Sequence, residues 1–326
     1  MKIFYSDLFS ITLPPHHTFP IAIYRLLSER VCASALAGPD DIAVPHVASD
    51  VEILRVHTPD YLRRLEKGEL TEKEVRRIGL PWSPELVLRA RHSAGATIEA
   101  CRAALEESVA VNLGGGTHHA FPDHGQGYCV LNDAAIAVRA MQAEARAERV
   151  LIVDCDVHQG NGTAAIFRDD SRVFTFSIHG ENNFPLKKEA SDLDIALPDG
   201  TRDHVYLAAL REGLEQAFRR SKAELAIYLA GADGYEGDRF GRLKLSKSGL
   251  QERDQMVFSR CLDANLPIAV TMAGGYAPNI DDIVDIHFQT VRAAALHAEA
   301  YKSKIGSQPT SRGAQDESEA FLPPGR

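Results

Sequence analysis

The chain has 326 residues, 44% of them hydrophobic and 25% charged, which are the values of a globular protein with a sizeable core. Its net charge of -9 and the lack of any basic block argue against a nucleic-acid partner, and no stretch approaches the ~20 apolar residues of a membrane span. Five widely spaced cysteines without a CxxC motif predict neither a disulfide framework nor a thiolate metal cluster, and the lack of an apolar leader favours a cytoplasmic protein.

Five short apolar runs predict buried parallel strands, because they are continuous rather than alternating with polar residues. In chain order they cover residues 109–113, 150–153, 173–178, 225–229 and 268–272. Segments with helical spacing alternate with them, at residues 84–107, 132–147, 204–220, 246–262 and 280–298, the second with Asn132 as its N-cap. The alternation predicts a three-layer α/β/α domain around a central, mostly parallel sheet.

The composition changes only near the C-terminus. Residues 303–326 are rich in Ser, Gln, Gly and Pro and show no apolar periodicity, which predicts a disordered or expression-derived tail. A chain of this length could form two domains, but α/β folds of this size are often single. We therefore expect one domain over residues 1–302.

A polar or glycine-rich segment follows each predicted strand. These segments are GGGTHH at 114–119, DCDVHQGNG at 154–162, HGENNFP at 179–185, AGADG at 230–234 and AGGY at 273–276. Ligands of open α/β sheets bind at the carboxyl ends of the strands. Because the five segments gather at that end, they predict a composite active site.

Asp156 and His158 are two residues apart on an extended segment after a strand, so both side chains can face the same side. A carboxylate and an imidazole so placed suit a borderline cation such as zinc, and Asp233, after another strand, can supply a third ligand. Three protein ligands leave an open position, which is typical of a catalytic site. Ferrous iron suits the same donors, and a lone Asp-x-His also occurs as a hydrogen-bonded loop without a metal.

The tandem histidines His118 and His119 follow a glycine-rich turn. Histidine transfers protons readily near neutral pH, so the two can divide orientation and acid–base roles, with Asp154 and Asn161 as candidate partners that fix a tautomer. Tyr276, on a Gly-Gly turn, can donate a hydrogen bond to a developing oxyanion. With a metal that polarises a carbonyl and lowers the pKa of water, this set predicts metal-assisted amide hydrolysis.

With these motifs, the chain from Phe4 to about Leu296 resembles the histone deacetylase superfamily, which also contains acetylpolyamine amidohydrolases. The resemblance rests on five segments: GGGTHHA at 114–120, GYCVLND at 127–133, DCDVHQGNG at 154–162, AGAD at 230–233 and GGY at 274–276. The chain is most similar to the class IV branch and its bacterial relatives, on the basis of HTFP at 17–20, HQGNG at 158–162 and GYEGDRFGRL at 234–243. The resemblance implies an arginase/deacetylase-like fold.

The resemblance also implies roles for the catalytic residues. The zinc ligands would be Asp156, His158 and Asp233. His119 is favoured as the general acid and base. Asp154 would support His118 and help to hold a structural potassium ion, whereas Asn161 stands where some members carry Asp behind the second histidine. Tyr276 would stabilise the transition state.

For the substrate, the resemblance implies a tunnel. Gly127 and Tyr128 correspond to the wall that grips the acyl-lysine stem, Phe184 to the opposite wall, and Gly274 to a substrate-binding position before Tyr276. Simple core packing is the alternative interpretation of Tyr128 and Phe184.

Several alternatives stay open from the sequence. The short segment 24–57 lacks room for the entrance insertion of acetylpolyamine amidohydrolases, which favours ε-acyl-lysine of proteins or peptides over acylpolyamines. The acyl group (acetyl, lactyl or fatty acyl) and the oligomeric state are undetermined. A two-metal, arginase-type site is disfavoured because Gly160 stands where a further ligand is needed. A non-catalytic module that binds acylated amines is disfavoured because no catalytic residue is missing.

Overall fold

Eight parallel strands form one sheet at the centre of the computed structural model, which describes residues 1–306. Their order is β2-β1-β3-β8-β7-β4-β5-β6, and each neighbouring pair is parallel. The strands are β1 (Lys2–Phe4), β2 (Ile42–Ala43), β3 (Val109–Asn112), β4 (Val150–Asp154), β5 (Val173–Gly180), β6 (Leu193–Leu197), β7 (Leu225–Ala230) and β8 (Ile268–Met272). The predicted fold class is confirmed, and within residues 1–306 the sheet is parallel throughout.

Helices cover the sheet and complete the three-layer domain. They are α1 (Ile23–Cys32), α2 (Asp50–Ile53), α3 (Pro59–Lys67), α4 (Glu72–Ile78), α5 (Pro84–Glu107), α6 (Asp133–Ala143), α7 (Asn161–Phe167), α8 (Asp203–Ser221), α9 (Lys247–Ala264) and α10 (Ile280–Gly306). Helix α5 packs on β1, β3 and β8, and α8 packs on β4, β5 and β6. The strands β3, β4, β5, β7 and β8 are buried along their whole length, as continuous apolar runs require.

Polar side chains set where the main helices begin. The Ser83 hydroxyl accepts the N–H of Leu86 at 3.1 Å, and Pro84 occupies the first position of α5, where its missing N–H has no cost. Asn132 caps α6 as predicted, accepting the N–H of Ala135 at 3.0 Å. These caps fix the loops that precede the two helices, and the loop before α6 borders the site described below.

The structure adds elements that the sequence patterns did not predict. The strands β1 and β2 have three and two residues, and β6 lies at the sheet edge with its first four residues only partly buried or exposed. The helices α1 to α4 and α7 were not predicted either. Helix α10 continues to Gly306, so residues 303–306 of the expected tail are helical, and the rest of that tail lies outside the described residues.

None of the helices within residues 1–306 is long and apolar enough to cross a membrane.

Candidate metal and catalytic site

The predicted site residues come together at the carboxyl edge of the sheet, because the strands that precede them are neighbours in the order β3-β8-β7-β4-β5. Every catalytic and metal-binding candidate lies there: His118 and His119 after β3; Asp154, Asp156, His158 and Asn161 at and after β4; Asp233 after β7; and Tyr276 after β8. The structure therefore brings the predicted site residues together at one edge of the sheet.

Asp156, His158 and Asp233 form a buried trio. The Nδ1 atom of His158 lies 2.9 Å from Oδ1 of Asp156 and 3.2 Å from Oδ2 of Asp233, and the ligand atoms of all three lie within 4.8 Å of one another. No other such group of three His, Cys, Asp or Glu side chains occurs in the part of the chain that is described. Two carboxylate oxygens and one imidazole nitrogen that face one point fit a divalent cation, and the structure thus supports the predicted donor set.

Backbone amides hold the two carboxylates of the trio in place. The N–H of Val157 donates to Oδ1 of Asp233 at 2.9 Å, and the N–H of Gly274 donates to Oδ2 of Asp156 at 2.7 Å. A methyl group at Gly274 would overlap the Asp233 carboxylate. Gly274 was predicted to bind substrate; the structure places its amide on a candidate metal ligand.

The two carboxylates of the trio have different proton affinities. Burial, together with the charge of Asp156, raises the pKa of Asp233 to about 7. Burial acts in the same direction on Asp156, but the positive charges of His118 and His158 outweigh it and lower the pKa of Asp156. Asp156 is therefore the more readily ionised carboxylate of the two.

His118 is paired with a carboxylate. Its Nδ1 atom lies 2.6 Å from Oδ2 of Asp154, and both side chains are buried. Burial alone would lower the pKa of His118, but the charges of Asp154 and Asp156 raise it to about 9. His118 is therefore charged at neutral pH.

His119 has the opposite electrostatic environment. Its Nδ1 atom lies 2.7 Å from Oδ1 of Asn161, so Nδ1 carries the proton and Nε2 keeps a free lone pair. Burial and the charges of His118 and His158 hold the pKa of His119 well below its ordinary value. The ring centroids of the two tandem histidines are only 4.1 Å apart. One ring of the pair is thus charged and the other is a neutral base.

Tyr276 lies beside the trio. Its ring centroid is 6.4 Å from that of His158, and its backbone N–H donates to Oδ2 of Asp238 at 2.6 Å. Burial and the charges of Asp156 and Asp233 raise its pKa well above 10, so the phenol keeps its proton. Within residues 1–306 the hydroxyl has no hydrogen-bond partner, which leaves it free to donate to a ligand.

A cavity of about 590 Å³ leads from the surface to His119, His158 and Tyr276. Tyr128 and Phe184 line it, and the Phe184 ring packs edge-on against His119 at 4.9 Å between centroids. Phe184 is 40% exposed, so it is a wall rather than a core residue.

Gly127 lines the same cavity and has a φ of 55°, in the left-handed region that favours glycine. A Cβ atom at Gly127 would lie 2.7 Å from Cδ2 of His119. A larger residue would therefore displace the neutral histidine.

The structure adds site residues that the sequence analysis missed. The Asp133 carboxylate accepts the N–H groups of Gly116 and Thr117 at 3.1 and 2.7 Å and so fixes the loop before the tandem histidines. Asp238 accepts the amide of Tyr276, as described above. Asp133 and Asp238 both lie in segments that carried the family resemblance, so their position in those motifs could have identified them as site residues. Arg77 has no such signal, because it lies far from every motif and only tertiary packing brings it to the cavity.

A parallel α/β sheet that gathers an Asp–His–Asp trio, two histidines and a free phenol at its carboxyl edge defines a protein of the metal-dependent hydrolase class. A histone deacetylase domain matches residues 17–291, and the chain therefore belongs to the histone deacetylase family. The superfamily predicted from the motifs is confirmed. As a member of that family the protein is a hydrolase of acylated amines.

The chain is also similar to individual proteins in sequence or in fold. An uncharacterized protein of Picosynechococcus sp. is 46% identical over 282 residues, covering 86% of this chain and 94% of its own. Histone deacetylase 2 of Arabidopsis thaliana is 30% identical over 85% of this chain and 74% of its own. The crystal structure of an HDAC homolog from Aquifex aeolicus is similar in fold, with a TM-score of 0.76 over 92% of this chain and 84% of its own, at 24% identity.

Proposed function

We propose that the protein is a zinc-dependent amidohydrolase that removes acyl groups from ε-acyl-lysine side chains of proteins or peptides. The observation that carries the proposal is the convergence of a neutral histidine (His119), a free phenol (Tyr276) and the Asp–His–Asp trio at the inner end of one cavity. Zinc, when bound by the trio, supplies a Lewis acid and lowers the pKa of a bound water. Ferrous iron is the alternative ion for the same donors.

His119 moves the proton in this proposal. Its Nε2 atom is free because Asn161 holds the Nδ1 proton at 2.7 Å, so Nε2 accepts a proton from the attacking water. The same atom then donates that proton to the leaving amine. A pKa well below the ordinary histidine value keeps the base neutral and ready at physiological pH.

His118 and Tyr276 stabilise negative charge that develops on the substrate. His118 stays protonated beside Asp154. Its ring centroid lies 4.1 Å from that of His119, so its positive charge is held close to the proposed base. Tyr276 donates its hydroxyl proton in a hydrogen bond to the carbonyl oxygen as that oxygen becomes an oxyanion. Both groups are held before substrate arrives, so little reorganisation is needed.

The cavity supports an acyl group on an unbranched amine stem. Tyr128 and Phe184 present aromatic surface to the stem, and Gly127 leaves room between them and His119. A lysine side chain has four methylene groups and fits such an apolar passage; an acylpolyamine stem has similar dimensions and is the second candidate. The potassium ion that resemblance implied at Asp154 stays a prediction, as does similarity to the class IV branch.

A hydrolysis panel with and without a zinc chelator tests the proposal. Acyl-lysine peptides bearing acetyl, lactyl and long fatty acyl groups are compared with acetylated polyamines. Chelator-sensitive turnover of the peptides is expected. Turnover of polyamines alone would mean that acylpolyamines, rather than acyl-lysine, are the substrate. Zinc binding without turnover of any compound would favour the alternative of a non-catalytic binding module.

A further inference from the structure

The mouth of the active-site cavity is positively charged in a chain whose net charge is -9. Two arginines, Arg77 and Arg242, border the outer part of the cavity, and no aspartate or glutamate of residues 1–306 borders that outer part. The lining of the mouth therefore carries arginine but no acidic side chain, in contrast to the acidic chain as a whole.

Helix α4 brings Arg77 to this position. The carbonyl of Arg77 accepts the N–H of Gly127 at 3.1 Å, and the carbonyl of Ile78 accepts the N–H of Tyr128 at 2.6 Å, so the helix end is joined to the cavity wall. The Arg77 side chain is exposed and forms no ion pair or hydrogen bond with any described residue. Arg242, in contrast, pairs with Asp199 at 3.0 Å. Arg77 is thus an uncompensated charge at the mouth.

Apolar side chains lie exposed on the same rim. Leu186 is 93% exposed, Phe184 40% and Phe240 36%, and all three border the cavity. Exposed apolar side chains that cluster around a pocket mark a surface that a ligand covers. A small acylated amine would end inside the passage, whereas a peptide lies across these side chains.

We propose that the mouth selects acyl-lysine within an acidic peptide, in which aspartate or glutamate flanks the modified lysine. The inference rests on the proposed function and narrows its substrate class. A carboxylate beside the acyl-lysine would meet the free guanidinium of Arg77, and such rim charges act on encounter and on partner choice. A free acylpolyamine carries ammonium groups beyond its amide and would meet the same guanidinium with like charge.

Binding of three matched peptides tests the inference. Each carries one acetyl-lysine and differs only in its flanking residues, which are Glu, Ser or Lys. Dissociation constants are measured by fluorescence anisotropy with zinc-loaded Tyr276→Phe protein, in which turnover is suppressed, and hydrolysis is measured separately with the wild type. We expect the Glu peptide to bind roughly 5- to 30-fold more tightly than the Lys peptide at low salt, because each exposed charge pair changes the affinity by up to about fivefold. The difference in affinity should shrink at about 0.5 M salt, where surface charges are screened.

Two charge reversals on α4 make the test specific. Arg77→Glu is expected to reverse the order of the Glu and Lys peptides. Arg76→Glu is the matched control, because Arg76 is the preceding residue of the helix, pairs with Glu72 at 3.1 Å and does not border the cavity. It should keep the wild-type preference.

Equal affinity for the three peptides, or a preference that survives Arg77→Glu, would overturn the inference. Charge-dependent binding without hydrolysis by the wild type would support it and contradict the proposed function instead. The two failures are therefore distinguishable.

Discussion

The substitution Tyr276→Phe removes one oxygen atom from the site and leaves the ring in place. The ring packs between aromatic neighbours, with centroids 5.1 Å from Phe240 and 5.8 Å from Tyr128. The hydroxyl has no hydrogen-bond partner among residues 1–306, so its loss breaks no bond of the folded protein. We expect the free energy of unfolding to change by less than about 0.5 kcal/mol.

The expected effect on catalysis is much larger. Removal of one preorganised oxyanion donor costs about 100- to 1000-fold in kcat, or about 2.7–4 kcal/mol. In the proposed mode of binding the stem contacts Tyr128 and Phe184 rather than the Tyr276 hydroxyl, so KM should change little. Because the pKa of Tyr276 lies well above 10, the phenol is protonated through pH 6–9 and the fold-loss should not vary with pH.

The assay measures kcat and KM on the best acyl-lysine peptide, together with zinc content and thermal unfolding. Tyr128→Phe is the matched control, because the Tyr128 hydroxyl is already bound to Oγ1 of Thr18 at 2.8 Å. This control should lose far less kcat than Tyr276→Phe. A Tyr276→Phe enzyme with kcat within twofold of the wild type and full zinc would refute the oxyanion role.

Three further changes test other parts of the molecule. Asp233→Asn weakens a ligand of the trio and should lower the zinc retained on dialysis at least tenfold, because loss of a residue that only supports a metal ligand already costs about tenfold in affinity. Full retention of zinc would exclude Asp233 as a ligand. Gly274→Ala should also lower zinc content, since its methyl overlaps the Asp233 carboxylate, whereas Gly38→Ala, whose nearest neighbour is 3.4 Å away, should not. Burial lowers the pKa of His57 to about 4 while its Nε2 accepts the N–H of Asn132. Between pH 4 and 6.5 the unfolded chain therefore binds more protons than the folded one, and stability falls as pH falls. His57→Gln should remove up to about 3 kcal/mol of the free energy of unfolding that the wild type loses over this pH range, as measured by urea unfolding. A variant whose stability falls as steeply with pH as that of the wild type would contradict this role of His57.

The part of the fold that carries the site could be predicted, because its strands are fully buried. Continuous apolar runs identified β3, β4, β5, β7 and β8 to within one or two residues at either end. Since parallel strands end at one edge, the residues after them could be placed together without a structure. The strands β1, β2 and β6 are short or lie at the sheet edge, and their partial burial leaves no such run.

The mouth of the cavity could not be predicted in the same way. Arg77 comes from the end of α4 and belongs to no apolar run or motif. Phe240 lies in the 234–243 segment that carried the resemblance, but nothing in that segment indicates that its ring borders the cavity. Their position depends on backbone contacts such as that between Arg77 and Gly127, which link segments 50 residues apart. Chemistry at the strand ends follows local rules, whereas substrate selection at the rim depends on tertiary packing.

The balance of buried charge around the trio favours the binding of a cation. Within the described residues, neither Asp156 nor Asp233 forms an ion pair with lysine or arginine, and their counter-charges come from His118 and His158. Asp233 pairs with His158 alone among these residues, and burial together with the nearby charge of Asp156 raises its pKa. A divalent cation with two carboxylates and a neutral imidazole sums to zero charge, which is the state that a buried site tolerates best. The donor set thus favours binding of a doubly charged ion. Since Asp233 is the carboxylate with the raised pKa, we expect its substitution to have the largest effect on metal retention.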